Sequence, residues 1–214
     1  MQLELPSTPL ALAAHALIDA ELDPPLRNRS VRSFFFARAV ADAHGASPEV
    51  DYDEEVLYLI CALHDIGLAE VADGDQRFEV DGADYAAEFL ESLGVTDERV
   101  DVIWDAIAAH SSGLSSSPVY RRRRPAAVWI AVEGIGIDIG GSAQDLPPGY
   151  ADRVHAMYPR LGGIRAFTRA VEEQALAKPH KALPGSLPGE VLRLKHPHLV
   201  PTWNDLVAMS GWND

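Results

Sequence analysis

An almost wholly apolar run at residues 56–63 leads directly into His64 and Asp65. A helix this apolar has to be buried on most sides, so it belongs at the centre of the fold. Its end then places an imidazole beside a carboxylate in the interior, where both groups need partners. A metal ion suits that pairing, and ordinary hydrogen bonds from neighbouring protein groups are the alternative. The run therefore predicts a central helix that carries either a metal site or a hydrogen-bonded polar pair.

The rest of the chain shows the spacing of amphipathic helices, and no stretch alternates convincingly as a strand. Proline and N-cap residues mark the starts of these helices, and glycines mark the ends. The sequence predicts an all-α bundle in a single domain, residues 1–214, with a core at about 8–177 and a loop-rich C-terminal extension at 178–214. The predicted helices cover about 8–21, 28–45, 53–66, 82–93, 96–110, 125–137 and 161–177.

The charge balance argues against a nucleic-acid partner. The formal net charge is −14, from 32 acidic and 18 basic residues, and such a chain would repel a phosphate backbone. The exception is a run of four arginines at residues 121–124, which we interpret as a solvated surface rather than an anion or partner site. A small molecule is therefore the expected partner.

The sequence also bears on the cellular compartment. A lone cysteine, Cys61, lies inside the apolar run and cannot form an intrachain disulfide. The first residues lack a basic segment followed by an apolar stretch, and no run approaches the length of a membrane span. We expect a cytoplasmic protein that is not bound to a membrane. Its apolar helical surfaces permit a homodimer.

Two further polar residues follow apolar helical patterns. His110 lies three residues after Ile107, so it continues the inward stripe of the fifth predicted helix. Asp138 follows the apolar sixth predicted helix and needs water, a cation or a hydrogen-bond donor nearby. Each residue has an ordinary alternative, a satisfied core histidine and a helix-end aspartate.

Together these residues resemble the HD-domain superfamily of metal-dependent hydrolases, and more narrowly the branch that includes the cyanamide hydratases. The match covers most of the chain: the His64-Asp65 pair followed by Ile66-Gly67, the segment 134–140 with Asp138, Phe78-Glu79 with Gly82, and 106–110 with His110. The resemblance implies a divalent metal, zinc, iron or manganese, held by His64, Asp65, Asp138 and one earlier histidine.

That earlier histidine is replaced. In the segment 26–33, which resembles the branch's Asn-His-Ser followed by Arg, Arg29 stands in the histidine's place. A guanidinium has no lone pair to offer a metal. Either three ligands still hold an ion, with His110 or water in the vacancy, or Arg29 replaces the ion by pairing with Asp65 and Asp138. The second is the slightly favoured interpretation, since a fixed cation repels a divalent ion.

The resemblance implies an enzyme that hydrates or hydrolyses a small molecule such as a nitrile or cyanamide. In that interpretation Asp65 carries a proton, His110 or Glu79 shuttles a proton or orients substrate, and Phe78 contacts it. If no metal is bound, the pocket either does proton-transfer chemistry with Arg29 binding an anionic group of the substrate, or only binds a ligand. Two alternatives stay open. One is a phosphohydrolase acting on nucleotides or other phosphate esters, and the other is a non-catalytic ligand-binding or biosynthetic accessory protein.

Overall fold

The computed structural model describes residues 3–140 and 146–212, and the regular structure of these residues is helical, which confirms the predicted all-α class. The described residues form eleven α-helices: α1 (Pro9–Glu21), α2 (Pro24–Ala43), α3 (Glu54–Leu63), α4 (Phe78–Ser92), α5 (Arg99–Ala109), α6 (Pro118–Arg123), α7 (Ala126–Ile139), α8 (Tyr150–Met157), α9 (Ile164–Ala177), α10 (Leu187–Lys195) and α11 (Trp203–Ala208).

The apolar run forms the centre of the molecule. Every residue from 56 to 63 in α3 is buried, and α3 is surrounded by α1, α2, α5 and α7. Asp53 caps the helix, its carboxylate accepting a hydrogen bond from the amide of Val56. The most extensive helix–helix packing is between α2 and α7. These two helices and the end of α3 surround the polar residues described below.

Helices α2 and α4 begin earlier than predicted. The prolines after Asp23 end α1, as predicted, but they also occupy the first turn of α2, which begins at Pro24 rather than near residue 28. Proline suits the first turn because the amide it lacks would have no helical partner there. Helix α4 begins at Phe78, four residues earlier than predicted, so Phe78 and Glu79 lie in its first turn.

The C-terminal region holds more helix than predicted. Helix α8 lies in a stretch for which no helix was predicted, and α10 and α11 lie in the extension predicted to be loop-rich. Helix α10 packs against α9, and a small apolar cluster joins the two. Residues 178–189 are rich in proline and glycine, which favoured a loop, but Pro188 occupies the first turn of α10, where proline is compatible with a helix.

No helix of the described residues is long and apolar enough to cross a membrane. The arginine run lies in the last turn of α6 and directly after it. Two of its members have acidic partners: Arg121 pairs with Glu133, and Arg124 pairs with Asp105 at 2.9 Å.

Candidate active site

Three helices bring the polar residues of the interior together. Arg29 and Arg32 lie on the buried face of α2, His64 and Asp65 follow α3, and Asp138 lies in the last turn of α7. All five side chains are buried. Helix α3 ends because the chain turns into a short 3-10 segment at Ile66–Leu68.

That turn requires glycine. A Cβ atom on Gly67 would lie 1.9 Å from the carbonyl oxygen of Phe78 and 2.8 Å from the amide nitrogen of Gly82. Only a residue without a side chain allows the turn to approach the first turns of α4 so closely. Gly67 therefore positions the His64-Asp65 pair against the helix that carries Phe78.

The guanidinium of Arg29 contacts both members of the pair. Its Nη1 donates to Asp65 Oδ2 and to His64 Nε2. His64 is oriented for this contact, because its Nδ1 donates to the carbonyl oxygen of Cys61 at 2.8 Å and leaves the Nε2 lone pair free to accept. The ring of Phe167 in α9 lies over the guanidinium, with 4.4 Å from Arg29 Cζ to the ring centroid.

Asp138 has a different partner from the one expected. Arg32 binds both of its oxygens, with Nε–Oδ1 at 2.7 Å and Nη2–Oδ2 at 2.8 Å, whereas Arg29 Nε lies 4.0 Å from Oδ2. Arg160 also donates from Nη2 to the Asp138 carbonyl oxygen at 2.7 Å. Sequence reasoning missed Arg32, although its position three residues after Arg29 places it one turn along the same helix.

The residues present do not fit the divalent metal that the family resemblance implies. The Arg29 Nη1 atom already contacts the lone pair of His64 and the carboxylate of Asp65, and Arg32 engages both oxygens of Asp138. Within residues 3–140 and 146–212, no group of three or more His, Cys, Asp or Glu side chains is arranged to hold an ion. With Arg29 in this position, the His64, Asp65 and Asp138 set is occupied by guanidinium groups.

Burial and neighbouring charges determine the protonation of the pair. Burial lowers the pKa of His64 to about 3, and the Arg29 cation acts in the same direction, so this imidazole is neutral. Burial alone would raise the pKa of Asp65, but the Arg29 guanidinium together with the neighbouring His64 and His110 outweighs burial, and the pKa is lowered. The cluster therefore contains a neutral imidazole and an ionised carboxylate beside a permanent cation.

His110 lies next to the cluster. Its ring centroid is 5.3 Å from that of His64 and 5.8 Å from that of Phe78. Its Nδ1 donates to the carbonyl oxygen of Ile107 at 2.7 Å, so Nε2 carries the free lone pair. Burial lowers the pKa of His110, which keeps the ring neutral.

Glu79 is held by partners immediately before α4 and after α5. Its carboxylate accepts a hydrogen bond from Arg77 Nη2 at 2.7 Å and another from the Ser111 hydroxyl. Arg77 also donates to Ser111 at 3.0 Å. Glu79 therefore lies near His110 with its charge already balanced by an arginine.

Comparison with known proteins identifies the family. The HD domain family matches residues 27–138, a stretch that begins just before Arg29 and ends at Asp138. The chain belongs to the HD domain family. Its relatives include the cyanamide hydratases DDI2 and DDI3 of Saccharomyces cerevisiae, each 29% identical over 165 residues, which cover 74% of this chain and 69% of theirs. The family resemblance noted from the sequence is thus confirmed, and in this HD domain Arg29 contacts the His-Asp pair.

Proposed function

We propose that this HD-domain protein is a small-molecule hydratase that adds water to a nitrile-type substrate through protein groups alone. The relatives named cyanamide hydratases support the reaction class. The observation that carries the proposal is the position of Arg29, whose guanidinium lies against the His64-Asp65 pair and whose Nε and Nη2 atoms have no hydrogen-bond partner among the described residues. A fixed cation with free donors supplies electrostatic stabilisation of a developing anion.

The charge that develops during the reaction matches this arrangement. When the oxygen of water bonds to the nitrile carbon, one π bond of the C≡N group breaks and its electron pair moves to nitrogen. Free N–H groups of Arg29 stabilise that nitrogen, and they act more strongly on it than on the neutral substrate. Because Arg29 is only 3% exposed, little water screens the interaction.

A base is available for the proton that water loses. The free Nε2 of His110 is neutral and accepts this proton, then returns it to the nitrogen, which completes the imidic acid tautomer of the amide product. Asp65 Oδ1 has no hydrogen-bond partner among the described residues and serves as an acceptor that orients the water. Phe78, beside His110, contributes an apolar wall.

The test is hydration of cyanamide and of small nitriles by the purified chain, with amide or urea formation followed by mass spectrometry. Replacing Arg29 by Gln should lower kcat by about 100-fold or more, as expected when a donor to a developing oxyanion-type charge is removed. The matched control is Arg122→Gln, which removes an exposed arginine of α6 and should leave kcat unchanged.

Other outcomes would contradict the proposal. Equal turnover by the native chain and the Arg29→Gln variant would remove Arg29 from the reaction. Release of phosphate from a nucleotide panel, without hydration of any nitrile, would establish a phosphohydrolase instead. Binding of substrate without turnover would indicate a ligand-binding protein. Circular dichroism on each variant checks that the fold is retained.

A further inference from the structure

One edge of the Arg29 guanidinium lacks a hydrogen-bond partner among the described residues. Its Nε and Nη2 atoms are buried and unpaired, and the nearest carboxylate oxygen, Asp138 Oδ2, lies 4.0 Å from Nε. Buried donors of a charged group are normally satisfied, so an unpaired edge indicates that something else binds there. In Arg32 the corresponding Nε and Nη2 atoms bind the two carboxylate oxygens of Asp138, which shows that such an edge suits a carboxylate.

The charges around this edge favour an anion. Two guanidinium groups, those of Arg29 and Arg32, pair with the carboxylates of Asp65 and Asp138, and a third, that of Arg160, donates to the backbone carbonyl oxygen of Asp138. The positive charge therefore exceeds the negative by one in a largely buried cluster, and a monoanion would balance it.

Repulsion from Asp138 does not oppose such a ligand strongly. Both of its oxygens accept hydrogen bonds from Arg32, which neutralises the carboxylate in place. The Phe167 ring covers one face of the Arg29 guanidinium, so the contact available to a ligand is at the edge and in the plane. A planar ligand with two acceptor atoms fits that requirement best.

We propose that the Nε–Nη2 edge of Arg29 is a subsite for a small planar monoanion with two acceptor atoms, that is, a carboxylate. The role of this subsite in catalysis rests on the proposed function. Hydration first converts a linear nitrile into an imidic acid, whose planar N–C–O group has two acceptor atoms, and the O–C–O group of a carboxylate has the same shape. Small carboxylates should then inhibit by occupying the position of that group.

The experiment uses formate, the smallest carboxylate, because the subsite is buried. The full chain is labelled with 15N-arginine, and the buried Nε–H signal that Arg29→Lys removes is assigned to Arg29. Formate should shift this signal saturably, and it should bind at least about tenfold more tightly than formamide, which has the same shape but no charge. Sodium chloride at equal ionic strength should not reproduce the shift, and the Arg122→Lys control should keep it.

Equal binding of formate and formamide would overturn the inference, as would a formate response that persists in Arg29→Lys or one that chloride reproduces. The formate and formamide comparison uses the native chain, so it decides the question even if the Arg29 variant fails to fold. Formate binding at Arg29 without hydration of any nitrile would leave this inference standing and refute the proposed function. If hydration requires Arg29 but formate neither binds the protein nor inhibits the reaction, the proposed function stands and this inference is refuted.

Discussion

At Arg29, a permanent cation contacts an imidazole and a carboxylate that the family resemblance assigns to a metal. The substitution changes the character of the position, because arginine donates five N–H groups and accepts none. The His64 lone pair and the Asp65 carboxylate thereby become hydrogen-bond acceptors of a protein group. One residue thus changes the chemistry available to an otherwise recognisable His-Asp pair.

Restoring histidine at this position should restore metal binding. We expect Arg29→His to take up about one equivalent of zinc, iron or manganese, since His64, Asp65 and the new imidazole make three protein ligands, with water in the fourth position. The native chain should contain no stoichiometric metal, because Arg29 repels a divalent ion from the same atoms. Inductively coupled plasma mass spectrometry on both proteins measures this.

The control for that experiment is Arg122→His, which adds a surface imidazole and should not add a bound ion. One equivalent of metal in the native chain would show that Arg29 moves away from the pair, and it would contradict the protein-only mechanism.

His64 should make stability depend on pH. Its pKa is about 3 in the folded protein and about 6.5 when unfolded, so the unfolded chain takes up this proton first as the pH falls. The contribution of the neutral His64 to the free energy of unfolding is fully present above pH about 6.5, and it is lost progressively as the pH falls toward 3. Urea denaturation between pH 8 and 4 should therefore show a falling free energy of unfolding.

The slope of that dependence identifies the residue. His64→Gln should flatten it, whereas His198→Gln, at an exposed position, should leave it as in the native chain. An unchanged slope in His64→Gln would mean that other groups cause the pH dependence.

At the scale of elements, the close approach of α2 and α7 brings Arg32 to Asp138. A Cβ atom on Gly134 would lie 2.4 Å from the amide nitrogen of Ala37 and 2.6 Å from its Cα. Gly134 therefore allows the two backbones to pack in contact, and Asp138 lies one turn further along α7. The small residue determines the spacing of the helices that carry the Arg32–Asp138 pair.

Gly134→Ala should destabilise the protein by about 1–3 kcal/mol, because the added methyl group has only backbone to displace. Gly136 in the same helix is the matched control, since it is exposed and a Cβ there would meet nothing within 4 Å. Gly136→Ala should be neutral or stabilising by up to about 1 kcal/mol, as alanine favours helix. Equal effects of the two substitutions, measured by chemical denaturation, would contradict the close-packing explanation.

At the scale of the whole molecule, the C-terminal region holds the loop that follows the His-Asp pair. Gln174 donates to the Gly67 carbonyl oxygen at 2.8 Å and to Asp73 Oδ1 at 2.9 Å. Lys181 is 1% exposed at its side chain and pairs with Asp73 at 2.5 Å and Asp81 at 2.7 Å. Gln174 of α9 and Lys181 of the extension thus connect the site turn, Asp73 and the first turn of α4 in one polar network.

Lys181→Met should cost about 3 kcal/mol, near the lower end for breaking a buried ion pair, because Asp73 stays partly exposed to water. Lys195→Met is the control: this lysine pairs with Glu172 at 2.5 Å in the same region, but it is 60% exposed and should contribute less than about 1 kcal/mol. Thermal and chemical denaturation compare the two. A cost for Lys181 as small as that for Lys195 would show that the network does not hold the extension.

Much of the fold and part of the site follow from local patterns. Apolar periodicity predicted the central helix, and the His64-Asp65 pair at its end is where the sequence placed it. The same reasoning started α4 four residues too late, because Phe78 and Glu79 follow a polar loop and carry no capping signal of their own. It treated residues 178–189 as loop because they are rich in proline and glycine, although Pro188 lies in the first turn of α10, where proline is compatible with a helix.

The sequence by itself determined the helical class, the HD-type motif and the loss of one histidine, because these depend on spacing and on residue chemistry. Only the tertiary structure decided which arginine binds which carboxylate. Arg32 and Asp138 are 106 positions apart, and Lys181 and Asp73 are 108 apart. Such pairings depend on which helices pack together and how closely, and the periodicity of a local stretch of sequence carries no information on either.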